Sequence, residues 1–272
     1  MPLHRSLVTI SRELAVKILN EAERGVFVET ALSEGLSDHH VSAEDRALIT
    51  EIVYGTIRWK FRLDSIINNL LNDRHKQLNP QIRNILRIAI YQVLFLSRVP
   101  THSAIHQAVA QAKNILDGKF SKLVNAILRS ALRHPEILYF EPGKSPKDLA
   151  TYYSHPEWLV KRWLKKFGSE KTVQVLQSNN QRALLTLRVN SLKASVMDVI
   201  TLFREKALDF EILNFDLGVL ELNKIQGPVT NLPGFCEGLF SIQDFASQMI
   251  APLLVVEPKQ KILDVCGAFN RK

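Results

Sequence analysis

The sequence predicts a multidomain protein: an all-α helical bundle, then a small α+β module, then the first elements of an α/β domain of the nucleotide-binding type. Three observations carry this. Apolar residues recur at helical spacing from the N-terminus to about residue 134. From residue 184 onward, short runs of β-forming residues alternate with helical stretches. The last residues, Lys261-Ile-Leu-Asp-Val-Cys-Gly-Ala-Phe-Asn-Arg-Lys272, read as a buried strand from Lys261 to Cys266 running into a loop that cradles a cofactor.

In chain order, Leu7, Ile10, Leu14, Ile18 and Ala22 mark the first helix, and Gly25 breaks it. Ser42-Ala-Glu-Asp45 is an N-cap with acids in the first turn. The helical segment it opens carries the stripe Leu63, Ile66, Ile67, Leu70, Leu71. Asn79-Pro80 starts a third segment with Ile82, Ile85, Leu86, Ala89 and Val93 on one face, closed by Val99-Pro100-Thr101. Helices over Ala104 to Leu116 and Lys122 to Leu132 flank Asp117-Gly118, and such short connections favour a compact bundle.

Pro135, Pro142-Gly143-Lys144-Ser145-Pro146 and His155-Pro156 mark a linker. Beyond it, Pro156 begins one helix (Trp158, Leu159, Trp163, Leu164) and Glu170 to Asn179 forms another. Leu184 to Val189 is a strand, Ser195 to Lys206 a helix, and Phe210 to Leu213 and Val219 to Leu222 are short strands. After Leu232-Pro-Gly234 come a short strand, a helix from Gln243 to Leu254 and the terminal strand. The expected domains are 1–137, a linker 138–155, a module 156–236 and a partial domain 237–272.

With 46% apolar residues and a mean hydropathy near zero, the chain reads as globular and soluble. No signal peptide and no apolar run of about 18 residues is present, so a cytoplasmic location and no membrane are expected. Two cysteines without framework spacing predict neither a disulfide nor a zinc site. The net charge of +8 is spread along the chain and suits either a polyanionic partner such as RNA or plain solubility.

Few residues offer chemistry. Arg58, Lys60 and Arg62 alternate with Trp59 and Phe61, and on a continuous helix Arg58 and Arg62 share one face. They are candidate RNA-backbone contacts, although a solvated face beside a core tryptophan fits this helix taken alone better. Lys122, Arg129 and Arg133 recur at helical spacing and, with Lys119, extend such a surface; contacts of this kind give affinity without sequence choice. His102 and His106 have the i, i+4 spacing of metal ligands but lack the following Glu, and read as ordinary polar residues near a helix start. Cys236 reads as a semi-buried thiol between turn glycines. No catalytic residue and no metal ligand can be named.

The sequence as a whole resembles the bacterial 16S rRNA cytosine-5 methyltransferases that carry an N-terminal NusB-like domain. The resemblance runs through Asp45-Arg-Ala-Leu48, Glu51-Ile-Val-Tyr-Gly55 with Arg58-Trp59, Tyr91-Gln-Val-Leu-Phe-Leu96 with Arg98-Val-Pro100, and Val124-Asn-Ala-Ile-Leu-Arg129. It continues through Tyr153 to Leu159, Leu187-Arg-Val-Asn190, Leu232-Pro-Gly-Phe235 and Ser241-Ile-Gln-Asp244. It implies a NusB-like RNA-binding bundle, a small RNA-recognition-type module and a Rossmann-like domain for S-adenosylmethionine, with 16S rRNA as partner and a monomeric state. In the family the cofactor loop reads roughly L-D-x-C-A-A-P-G-G-K. Leu263, Asp264, Cys266, Ala268 and Lys272 match it, which makes Cys266, Ala268 and Lys272 remnant cofactor-binding positions. Gly267, Phe269, Asn270 and Arg271 depart from it, and the family's proline and paired glycines are missing. Its two catalytic cysteines lie in motifs downstream of this loop. The expectation is a chain shortened by a frameshift or premature stop, which binds RNA but neither holds the cofactor nor transfers a methyl group.

Overall fold

The computed structural model describes residues 9–37, 41–71, 78–115, 119–225, 227–255, 257 and 259–263. Contacts divide the chain into two units, Met1–Gln181 and Arg182–Lys272.

The first unit is helical. Helices α1 (Ile10–Glu23), α2 (Val28–Ser37), α3 (Ala43–Arg58), α4 (Lys60–Leu70), α5 (Pro80–Phe95), α6 (Thr101–Ile115) and α7 (Lys119–Arg133) form the bundle. Its centre is α5, whose Ile82, Ile85, Leu86, Ile88 and Ala89 meet Leu14 and Ile18 of α1, Ile49, Ile52 and Val53 of α3, and Leu63, Ile66 and Ile67 of α4. The Ser42 hydroxyl accepts from the Asp45 amide and the Asn79 side chain accepts from the Gln81 amide, as their capping positions require. Helix α2 had no expected counterpart. Its Ala31, Leu32, Gly35 and Leu36 pack on the core, and Gly35 leaves room for Ile18.

Two expectations for this unit change. The segment opened by Ser42 is two helices, interrupted at Trp59, which leaves helical dihedrals (φ −96°, ψ 14°) and stacks on Phe95. The proline-rich stretch read as a linker is folded: α8 (Pro135–Leu138) packs on α4 and α7, and α9 (Pro146–Tyr152) on α4. Prolines at the first position of each helix are compatible with helix starts, and Ser145 with Asp148 closes a capping box on α9. Helix α10 (Glu157–Asn179) is broken at Gly168 (φ 76°), which matches the two helices expected there.

The second unit is a four-stranded antiparallel sheet of order β2-β3-β1-β4. Its strands are β1 (Leu185–Val189), β2 (Asp209–Asn214), β3 (Val219–Lys224) and β4 (Phe240–Ile242). Helix α11 (Val196–Glu205) covers one face, where Val199, Ile200 and Phe203 meet Leu187, Val189, Leu220, Leu222 and Phe240. The first three strands were expected to within two residues, and β4 is the short strand expected after Leu232-Pro-Gly234. The helix expected over 243–254 is instead α12 (Phe245–Gln248) and a separate 3-10 turn, Ala251–Leu254. Pro252 explains the break, since its ring lacks an N–H and would clash with the preceding turn of a continuous helix. The terminal strand is not confirmed. Lys261, Ile262 and Leu263 are in no strand and are exposed, Leu263 to 83%; residues 264–272 lie outside the described residues.

Candidate nucleic-acid interface

Helix α7 separates its residues sharply by face. Val124, Ile127, Leu128 and Ala131 are buried in the bundle core. Lys122, Arg129 and Arg133 are exposed on the opposite side, spaced seven and four positions apart. At ~1.5 Å per residue the row is about 16 Å long. Arg129 Nε donates to Asn125 Oδ1 at 3.1 Å, and no carboxylate pairs with the three cations among the described residues. Helix α6, which packs beside α7, carries no acidic residue either, and its His102, His106 and Lys113 are exposed. Sequence reasoning found the α7 row, but it read His102 and His106 as ordinary polar residues and did not reach Lys113. Their spacing was the available signal: at ~100° per residue all three project within a narrow arc.

The other expected cluster does not form one surface. Arg58 is half-buried at the end of α3, where its charge acts on the Tyr91 phenol. Arg62 is turned inward and only 8% exposed, which corrects its expected role as a phosphate contact. Its guanidinium carbon lies 4.2 Å from the Tyr152 ring centroid, 5.2 Å from Phe140, 5.6 Å from Trp59 and 6.0 Å from Phe95. Its Nε is buried without a hydrogen-bond partner. Four ring quadrupoles stand in for a carboxylate. Because Phe140 and Tyr152 flank α8 and α9, Arg62 ties that segment to the bundle.

The motif Glu51 to Gly55 is structural. Tyr91 donates its hydroxyl to Glu51 at 2.6 Å, and burial together with that carboxylate pushes the phenol pKa well up. Gly55 lies under the Tyr91 ring, where a Cβ would stand 2.0 Å from Cζ. Close by, Arg87 is 5% exposed and bridges two carboxylates. Its Nε and Nη2 hold Asp64 at 2.8 and 2.7 Å, and Nη1 donates to Asn84 at 2.7 Å and to Glu23. Lys60 also reaches Glu23, at 3.2 Å.

In the second unit the face opposite α11 is a poor phosphate surface. Glu211 and Glu221 stand directly across from one another, and Glu221 also faces Thr186. Like charges in register repel an incoming anion. Arg188 is engaged with Gln243 at 3.3 Å. Cys236, expected to be semi-buried, is exposed. The described residues hold no group of three or more potential metal ligands, and no described helix is long and apolar enough to cross a membrane. Cys266, Ala268 and Lys272 lie outside the described residues.

Comparison with known proteins defines the class. Residues 9–133 match the NusB family, and residues 155–226 match the ferredoxin-like domain of the RsmF/B-like methyltransferases. The chain thus joins a NusB-family domain to a methyltransferase-type ferredoxin-like domain. More particularly, it is similar to proteins named ribosomal RNA small subunit methyltransferase B. It is 34% identical to the probable member from Synechocystis sp. over 96% of this chain and 59% of that protein. It is 30% identical to the probable member from Bacillus subtilis over 97% and 59%, and 33% identical to the one from Pseudomonas syringae over 85% and 50%. The chain therefore spans less than two thirds of these relatives. The crystal structure of PH0851 shares the fold, with a TM-score of 0.60 over 92% of this chain and 56% of that one, at 21% identity.

Proposed function

We propose that this chain is the RNA-recognition portion of an S-adenosylmethionine-dependent rRNA cytosine-C5 methyltransferase, and that it holds 16S rRNA of the small ribosomal subunit by its phosphate backbone. The observation that carries the reading is the α7 row. Lys122, Arg129 and Arg133 are exposed and pair with no carboxylate among the described residues, on a helix with no acid and beside another with none. Arg58 flanks the bundle surface as a further cation. The relatives' names supply methyl transfer to small-subunit rRNA; the basic row supplies the chemistry of an RNA contact. Exposed cations meeting phosphates give affinity and register without reading bases.

Cofactor binding is a property proposed for the family. Here Asn270 and Arg271 stand where the family has its paired glycines, and a side chain at both positions opposes close approach of the backbone to a ligand. The isolated chain is expected to bind RNA, to show no heat of S-adenosylmethionine binding in calorimetry, and to transfer no methyl group to 16S rRNA. As a monomer it should bind one RNA site per chain.

Fluorescence anisotropy with a labelled 16S rRNA fragment tests the RNA contact. Three phosphate contacts contribute about 2–3 to the slope of log K against log salt, at roughly 0.7–0.9 each. Reversing Lys122, Arg129 and Arg133 to Glu should remove that much of the slope. An unchanged slope and affinity would refute the assignment.

A further inference from the structure

We propose that the outer face of the α6–α7 pair is a docking face for double-helical RNA, with α7 supplying phosphate contacts and α6 contacts to the ribose 2′-hydroxyls. This deepens the RNA reading above and rests on it.

The two helices are joined by a short connection between Ile115 and Lys119, which makes them antiparallel neighbours. Each presents a polar row opposite its own buried stripe. On α6 the buried residues are Ala104, Ala108, Gln111 and Ala112, and the exposed row is His102, His106 and Lys113. On α7 the exposed row is Lys122, Arg129 and Arg133. Both rows span eleven residue steps, about 16 Å, and packed helix axes lie about 8–10 Å apart. The result is two parallel rows of donors on one outward face. Phosphates and sugars on the two strands of an A-form helix flank its wide, shallow groove as two rows on the same scale.

The donor types differ between rows, and the difference is chemical. Guanidinium and ammonium groups on α7 suit phosphate oxygens. The two α6 imidazoles each offer a ring N–H and a ring nitrogen acceptor, a match for the 2′-hydroxyl, which both donates and accepts. A single strand would need something else. Sequence-tolerant single-strand binding relies on exposed aromatic rings for base stacking. Apart from the two imidazoles, the only aromatic ring in either helix is Phe120, and it packs against the bundle core. An acidic protein surface would meet the same cations, and competition by polyglutamate distinguishes it.

The test compares a 16-base-pair RNA duplex, its separated strand, the DNA duplex of the same sequence, and polyglutamate as competitor. Two triple variants of the full chain are measured beside the wild type. In one, His102, His106 and Lys113 become Ala; in the other, Lys122, Arg129 and Arg133 become Ala. All six side chains are exposed, and unchanged circular dichroism confirms the fold. Expected is at least tenfold tighter binding of duplex RNA than of either single strand or DNA duplex. The α6 variant should erase that preference while weakening single-strand binding less than the α7 variant does, and the α7 variant should weaken every nucleic acid. Equal affinity for duplex and single strand, an α6 variant that behaves as wild type, or displacement by polyglutamate as effective as by duplex overturns the inference and leaves the α7 contact standing. Failure of every RNA to bind overturns the underlying RNA reading as well.

Discussion

Replacing Arg87 by Met removes one partner from a buried charge cluster while keeping most of the side-chain volume. In the wild type, Arg87 forms a bidentate pair with Asp64 and bonds Glu23 and Asn84. Burial works against the Arg87 charge, but Asp64 and Glu23 outweigh it and raise its pKa. Burial likewise works against the Glu23 carboxylate, while Arg87 and Lys60 together hold its pKa below the ordinary 4.5. Breaking a buried pair from one side costs about 3–5 kcal/mol. The Asp64 and Glu23 side chains keep 22% and 27% exposure, so water offsets part of this and about 3 kcal/mol is expected. For the larger unit that corresponds to a fall in Tm of roughly 6–12 °C.

All three tryptophans, Trp59, Trp158 and Trp163, lie in the first unit, so urea unfolding followed by tryptophan fluorescence reports on it alone. The pH dependence gives an independent check. A depressed carboxylate pKa contributes stability that is complete above the unfolded value of 4.5 and is lost as pH falls through the folded value. In the Met variant burial acts on Glu23 with only Lys60 opposing it, so the gap between variant and wild type should narrow below about pH 4.5. Changing Asp64 to Leu in the same chain should recover part of the loss, because both buried partners are then gone. A loss below about 1 kcal/mol at pH 7, or one that does not vary between pH 7 and pH 4, would refute the reasoning.

Other outcomes follow from the same packing. Gly55→Ala drives a methyl group into the Tyr91 ring and should cost about 3 kcal/mol in urea unfolding, the upper end for overpacking. Arg62→Met keeps the stem among Tyr152, Phe140, Trp59 and Phe95 and exchanges a buried charge held by rings for a thioether that also contacts them, so its stability should stay within about 1 kcal/mol of wild type. Arg62→Ala should lose about 3 kcal/mol. Neither Arg62 variant should change RNA affinity more than twofold in anisotropy, since the side chain is buried; a tenfold loss in the Met variant would restore it to the interface. Amide exchange should show Gln243 protected by its hydrogen bond to the Thr186 carbonyl, and rapid exchange at Leu253, Leu254 and Leu263, which are exposed and in no sheet.

Much of the fold was legible because local signals and burial agree. The Ser42 and Asn79 caps, the α5 apolar face and the alternating strands of the second unit each state their own structure. The misses have physical causes. Helix α2 is short and takes its stability from packing on Ile18, so its pattern of Ala31, Leu32, Gly35 and Leu36 was weak in isolation. The stretch from 135 to 155 is rich in loop-forming residues, yet its prolines sit at helix starts, and Leu138, Leu149 and Ala150 find partners to bury against. The expected helix over 243–254 fails at Pro252, and residues 261–263, the described part of the strand expected over 261–266, pair with no described residue.

For the candidate interface, the sequence by itself determined the cation row. Lys122, Arg129 and Arg133 recur with the helical period, and the apolar residues between them fix which side turns to water. Only the tertiary structure decided what belongs beside that row. Arg62 has the same charge and a similar helical setting, yet Trp59 interrupts its helix and four rings enclose it. His102, His106 and Lys113 join because α6 packs against α7 with its own polar side outward. Helical period is local and can be read from one segment. Enclosure and adjacency depend on which distant residues arrive, and Phe95, Phe140 and Tyr152 reach Arg62 only when the chain has folded.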